Sequence, residues 1–478
     1  MALMAEAITD EFGNVDLADA RRNRRLNAVV TALSQAPAAS ISGASGGWHE
    51  SMAAYRLLNS AKVKPQALLA PHQQAVARRC ADHACVIVSQ DTTELDFTRM
   101  KEMQGLGPLN SLERRGFFMH SLYAATEAGL PLGLWDLQIM VRSDETFHGN
   151  LSETRPIEEK ESLRWIEGYH KTCELARALP QCEVFSISDR EGDIFELYAA
   201  WQKAAQSPSQ LHHAEWIIRA SKDRALVLGE DQETAKLFET LAGAPLVGEI
   251  EFGMRARQGS KKVKGSTVSH TRSARTVHQE VRVMKVTPRP PKRKGGKLPA
   301  VAFWAVLAQE KDPPQGESPI SWLLLTSKPT TTLEEARRIV NLYLRRWDIE
   351  VFHRVLKTGC KIEGLQLKGA RAVLNALTLY AIIAWRILYL THLGRQCPDL
   401  PCSSVFDEME WRATCAVVKR PSQLPEPTLS EFIKIVGKLG GHLGRKSDGP
   451  PGPKAMWQGM ARVRDFACTW QLFHSTAA

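Results

Sequence analysis

The chain has 478 residues, 44% hydrophobic and 24% charged, an ordinary globular composition that exceeds one hydrophobic core and predicts about two to four domains. Its nine cysteines are odd in number and include no Cys-x-x-Cys pair, which argues against a disulfide framework or a common zinc module and fits a reducing cytosol. The formal charge of +10 is uneven: between Arg255 and Lys297 stand 14 lysines and arginines against one acid, Glu280, so the whole surplus lies there and predicts a polyanionic partner.

The opening residues, MALMAEAITDEF, carry neither the basic start nor the apolar core of a signal peptide. Residues 1 to about 70 read as helical, with Leu26, Val29, Val30 and Leu33 spaced for one buried face. Arg21, Arg22, Arg24 and Arg25 crowd two turns of that segment. Their mutual repulsion, a few tenths of a kcal/mol per pair, is one that a phosphate backbone would offset.

From Ala84 the pattern changes. Ala84 to Ser89 reads as a buried strand running into Gln90-Asp91-Thr92-Thr93. Phe117–Thr126 and Leu132–Val141 read as a hairpin, Glu159–Ala178 as a helix, and Cys182–Ser188 as a strand ending at Asp189. A helix over Ile194–Gln202 and a strand over Trp216–Ala220 follow, giving a mixed α/β sheet with an early hairpin. Residues of about 221 to 320 are basic and rich in Gly, Pro and β-branched types, with strands expected at Val281–Val286 and Val301–Leu307 and a last strand at Ser321–Ser327.

Thr331 and Glu334 have capping-box spacing and predict a helix running without a break to Gly359. On it Tyr343, Arg346, Glu350, His353, Arg354 and Lys357 fall within an arc of roughly 100°. One carboxylate among cations is ordinarily a solvated ion-pair ladder. Val373–Leu393 is the longest apolar run, but Asn375, Arg386, Thr391 and His392 within it favour a buried helix over a membrane span. A Gly- and Pro-rich basic linker spans Gly440–Pro453. The final helix, Lys454–His474, carries Trp457, Met460, Val463, Ala467, Trp470 and Phe473 in one stripe, suited to docking on the body or on a second subunit.

Asp91 and Asp189 each follow a buried strand, where open α/β sheets place their chemistry. A single such Asp is ordinarily a helix cap or turn residue. Two of them, with Glu350, form an oxygen-only set suited to Mg²⁺, or to Mn²⁺ in its place. In a two-metal site such ions activate water and stabilise the leaving oxygen of an in-line phosphoryl displacement, while Arg346, Arg354 and Lys357 would hold flanking phosphates.

Tyr343, Arg346, Glu350 and Lys357 have the Tyr-x2-Arg-x3-Glu-x6-Lys spacing, and with Asp91-Thr-Thr and Asp189-Arg-Glu the chain resembles bacterial DDE transposases of the insertion-sequence-four group. The resemblance implies an α/β, RNase H-like mixed-sheet core holding Asp91, Asp189 and Glu350 as catalytic metal ligands. It further implies a β-rich insertion, a helical N-terminal DNA-binding domain and a helical C-terminal domain. The expected boundaries are 1–70 for DNA-end binding, 71–372 for catalysis (insertion about 221–320) and 373–478 for dimerisation. Trp322 matches the tryptophan on which the family stacks a flipped base, Arg219 a site-proximal arginine, and Arg21, Arg22 and Arg25 the end-recognition region. The implied partners are double-stranded DNA, as transposon end repeats and target, and a second copy of the chain in the DNA complex. The implied activity is cut-and-paste transposition, with cleavage at the ends, hairpin formation and 3′-hydroxyl strand transfer. The expected location is the bacterial cytoplasm, nucleoid-associated, away from any membrane. Two other readings stay open on the residues alone: an inactive DNA-binding repressor derived from a transposase, and a metal-dependent structure-specific nuclease.

Overall fold

A computed structural model describes residues 8–475 apart from residues 112, 145–154, 207–211, 229–232, 255, 257–259, 264–265, 270–272, 294–295, 422 and 446–447. Part of the basic 255–297 stretch thus lies outside the described residues. The strands used below are β1 (Cys85–Asp96), β2 (Gly107–Pro108), β3 (Arg115–Thr126), β4 (Pro131–Met140), β5 (Glu183–Ser188), β6 (Glu215–Arg219), β7 (Leu246–Met254), β8 (Arg275–Val286), β9 (Phe303–Glu310) and β10 (Ser321–Thr326). The chain divides into two compact units. One comprises residues up to Val86, Asp91–Asn150 and Trp347 onward, and the other comprises Ile87–Gln90 and Leu151–Arg346.

In the first unit, helices Ala20–Gln35, Ile41–Ala44, Trp48–Asn59 and Pro65–Ala81 precede β1. Asp19 caps the first of them by accepting the Arg21 amide at 2.8 Å, and Leu26, Val29, Val30 and Leu33 are its buried face, as their spacing predicts. These helices rest on Ala370–Gln396. Its Asn375 is fully buried and donates to the carbonyls of Leu58 at 2.9 Å and Val63 at 3.1 Å. That helix is long and apolar enough to cross a membrane, yet 89% of its most apolar window is buried inside the protein, as a core helix would be. β3 and β4 pair as the expected antiparallel hairpin, and β3 lies between β2 and β1 in the sheet order.

A largely buried network around Glu11 ties the chain start to this hairpin. Glu11 accepts from His72 Nδ1 at 2.5 Å and from Arg79 at 2.7 Å. The Leu134 amide donates to His72 Nε2, which fixes Nδ1 as the protonated nitrogen. Arg79 lies 4.5 Å over the Trp385 ring, and the Trp385 indole donates to the Pro131 carbonyl.

In the second unit the strand order is β5-β6-β10-β9-β8-β7, with the Ile87–Gln90 stretch of β1 beside β5. β5 and β6 are parallel, and the pairings from β6 through β10, β9 and β8 to β7 are antiparallel, so the sheet is mixed. The predicted β-rich insertion is therefore continuous with the core sheet, because β10 returns to pair with β6. Its outer strand β7 exposes Glu249 and Glu251, charges that discourage edge-to-edge pairing. Tyr198, Trp216 and Phe303 form the aromatic core, with ring centroids 4.7–5.2 Å apart.

Three expectations need correction. The Thr331 helix is not continuous: it runs Leu333–Leu344, turns at Arg345–Arg346, resumes as Trp347–Arg354 and tightens into a π-turn over Val355–Gly359. Its capping box is Thr332 with Glu335, one residue on, although Glu335 also accepts from Thr331. β1 continues to Asp96, so Asp91 lies within a strand rather than at its end. It is the first residue after the fully buried run Cys85–Gln90.

Candidate catalytic residues and their surroundings

In the second unit, Asp189 leaves β5 and caps the short helix Arg190–Gly192, accepting the Glu191 amide at 2.8 Å. The turn is tight: a Cβ on Gly192 would come within 2.1 Å of Ser188 Oγ. Asp189 thus performs the ordinary capping task of its position. It also neighbours a polar cluster. Tyr343, at the end of the Leu333–Leu344 helix, is buried, and its phenol interacts with the guanidiniums of Arg346 and Arg219. Burial raises the Tyr343 pKa, Arg346 and Arg219 oppose the rise, and Asp189 adds to it. Burial pulls Arg219 down, Tyr343 pushes it back up, and Arg190 and Arg346 lower it further. Cations gathered on one neutral phenol form a site for an anion, and phosphate has the charge and acceptor geometry for it.

Asp193 closes the same segment. It is buried, pairs with Arg224, and accepts from Tyr198 at 2.6 Å, the Ser221 amide at 2.7 Å and the Lys222 amide at 3.0 Å. The loops after β5 and β6 are thereby pinned together, which holds Asp189 and Arg219 in register.

Trp322 on β10 is half-buried and stacks on Phe252 of β7, with centroids 5.4 Å apart and planes 26° apart. Those strands are separated by β9 and β8, so the sheet curls to bring the rings together.

In the first unit, Asp91 accepts its neighbour's amide, Thr92 N–H, at 2.9 Å, and its Oδ2 lies 3.7 Å from His353 Nδ1. His353 Nε2 is 3.1 Å from Ser121 Oγ, and Thr92 Oγ1 is 2.9 Å from His120 Nδ1. Burial, with Lys357 alongside, brings the His353 pKa to about 3, so the ring is neutral. His353 therefore belongs to the packed interior and not to a solvated cationic face. Glu350 precedes it by one turn and is half-exposed, and Arg354 points to solvent. Lys357 sits in the π-turn, where burial lowers its pKa and Glu363 and Glu94 oppose that. The turn is held from behind: a Cβ on Gly359 would come within 2.9 Å of the Trp457 ring. π-turns recur at functional sites because they shift the face that a helix presents.

Asp91 and Glu350 belong to the first unit and Asp189 to the second. Among the described residues no three His, Cys, Asp or Glu side chains gather closely enough to hold a metal ion. The chemistry of the donor set nevertheless fits a hard divalent cation: three carboxylates, each in or directly after a strand or on the signature helix. His353, Ser121 and His120 were given no role by the sequence. Only the spacing of His353 three residues after Glu350 could have drawn attention to it.

At the chain start, Arg21, Arg24 and Arg25 line a cleft of ≈ 410 Å³ with Ser45, Gly46 and Glu50. Arg21 pairs with Asp19 at 3.3 Å, and Arg22 donates to the Leu17 carbonyl at 2.7 Å, so part of this cluster also organises the helix start. In the final helix Met456, Trp457 and Val463 are buried, whereas Leu472 and Phe473 are 70% and 73% exposed.

Three protein-family models match the chain in sequence order. The one described as transposase DNA-binding covers residues 4–63, the one described as transposase DDE domain covers 206–386, and the one described as transposase Tn5 dimerisation domain covers 382–475. The second match begins after Asp91 and Asp189, and of the three candidate carboxylates it includes only Glu350.

Proposed function

Since the chain belongs to the Tn5-like DDE transposases, we propose that it is a cut-and-paste enzyme that cleaves the phosphodiester at transposon ends with Asp91, Asp189 and Glu350 as its catalytic carboxylates. The observation that carries this reading is the grouping of Arg219, Arg346 and Tyr343 with Asp189, cations next to a strand-end carboxylate. The family implies a divalent metal, and Asp91, Asp189 and Glu350 are the residues that would hold it, as Mg²⁺ with Mn²⁺ as substitute. When bound, such a cation activates water and offsets charge on the leaving oxygen.

The protein's own groups supply the rest. Arg219, Arg346, Arg354 and Lys357 bind phosphates flanking the scissile one, and Tyr343 orients two of the guanidiniums. Water adds across the P–O bond, leaving a 5′-phosphate and a free 3′-hydroxyl. That hydroxyl attacks the opposite strand to form a hairpin and release the flanking DNA. The hairpin is opened by water, and the 3′ ends join the target strand by transesterification. Bending the strand unstacks a base at a cost of a few kcal/mol, and stacking on Trp322 would return about 1–3 kcal/mol.

The division of labour we propose is residues 1–70 for end binding through Arg21, Arg22 and Arg25, 71–372 for catalysis, and 373–478 for pairing two copies on DNA. A bacterial cytoplasmic, nucleoid-associated location accords with a DNA substrate. The test is Glu350→Gln, which should keep end affinity and abolish nicking in Mg²⁺. Cleavage by that variant would remove Glu350 from the catalytic set.

A further inference from the structure

Resting on the reading of Trp322 as a base platform, we infer that Phe252 is a positioning residue for hairpin formation: it covers one face of the Trp322 indole and leaves a single face on which a base can stack. The rings lie 5.4 Å apart and 26° from parallel, an offset stack of the kind aromatic pairs prefer. Neither ring is a core residue. Both are half-buried, and Phe252 lies on the outer strand β7 between exposed Glu251 and Gly253.

The register explains what is left accessible. β6 pairs with β10 only from Leu324 to Thr326, ending at Arg219 opposite Leu324. Trp322 lies two residues beyond that last pair, and the Arg219 guanidinium reaches the carbonyl of the preceding residue, Ser321, at 3.4 Å. The Arg219 guanidinium, which interacts with Tyr343 and Arg346, thus lies against the strand segment that carries the indole, beyond the last β6 pair. On the other side, β9 presents only Ala308 opposite Trp322, a side chain too small to fix a ring.

An indole on a strand has two soft torsions, and a platform that rotates between them stacks a base weakly. Phe252 removes that freedom before DNA arrives, so less ordering remains at the moment of stacking. It also sets a direction, because the extruded base can meet only the indole face away from β7. The sequence offers no sign of this pairing, since Phe252 and Trp322 are far apart in the chain and on strands that do not pair.

The test uses the full chain bound to transposon-end DNA carrying 2-aminopurine at the bases flanking the cleaved bond, whose fluorescence falls on stacking. Phe252→Leu and Phe252→Met keep apolar volume and lose the flat ring. Each should leave end affinity and first-strand nicking unchanged, slow hairpin formation about three- to tenfold and weaken the quench. Phe252→Tyr should restore both. The inference is overturned if Phe252→Leu and Phe252→Met form hairpins at the normal rate while Trp322→Ala does not; the platform reading then stands without it. It is equally overturned if nicking and hairpin formation fall together and Phe252→Tyr fails to restore them, which is the behaviour of a packing residue. If Trp322→Ala itself leaves hairpin rate and quench unchanged, the platform reading fails and the inference with it.

Discussion

Tyr343→Phe removes one oxygen and keeps the ring, which makes it the sharpest probe of the phosphate site. The phenol is 6% exposed, and it interacts with the guanidiniums of Arg346 and Arg219. A hydrogen bond to a charged group contributes about 1.5–3 kcal/mol, and Arg219 is itself half-buried and cannot recover its partner wholly from water. If those guanidiniums must be in place when charge develops at phosphorus, that loss slows nicking by about ten- to a hundredfold. Single-turnover nicking on pre-bound end DNA in Mg²⁺ separates this from binding, and end affinity should be essentially unchanged. Burial raises the Tyr343 pKa, so the phenol stays protonated and the defect should be the same throughout the neutral pH range. Nicking by Tyr343→Phe at the normal rate would refute the assignment, and a loss confined to affinity would make Tyr343 a DNA-binding residue only.

Replacing exposed Arg21 and Arg25 with glutamine should weaken binding to end DNA and flatten its salt dependence by about two counterions, read as the slope of log affinity against log salt; an unchanged slope would place end recognition elsewhere. Glu11 yields a stability prediction with a definite sign. Burial alone would raise its pKa, but His72 and Arg79 together bring it from 4.5 to about 2. The group therefore stabilises the fold above pH 4.5 and loses that contribution as pH falls toward 2, a difference of about 3 kcal/mol. Urea unfolding of Glu11→Gln should show that cost at neutral pH and almost none near pH 2, whereas a pH-independent cost would dismiss the ion network as its origin.

Much of the architecture was readable because local pattern and tertiary role agree. The β3–β4 hairpin, the helices flanking β5, and the buried faces of Ala20–Gln35 and Ala370–Gln396 follow from spacing and composition. The extension of β1 beyond Asp91 was also within reach, since Thr92 and Thr93 favour strand and buried Leu95 and Phe97 continue its alternation. The breaks in the signature helix were not. No Gly or Pro marks the turn at Arg345–Arg346, and the π-turn is held by Trp457, nearly a hundred residues away. The same distance hid the roles of His353, Glu11 and Phe252, each defined by a partner remote in sequence. Candidate carboxylates could be named from motif spacing, but the phenol shared by Arg219 and Arg346 and the neutral ring beside Asp91 required side chains in place.

The proposed chemistry depends on Asp189 being a metal ligand, and exchanging the metal tests that most directly. Asp189→Cys places a soft sulfur where a hard oxygen stood, and Mg²⁺ accepts thiolate poorly while Mn²⁺ tolerates softer ligands better. With end binding intact, nicking by Asp189→Cys should be absent in Mg²⁺ and partly recovered in Mn²⁺, above that of Asp189→Ala in the same metal. Full activity in Mg²⁺, or no more recovery in Mn²⁺ than the alanine variant shows, would contradict it.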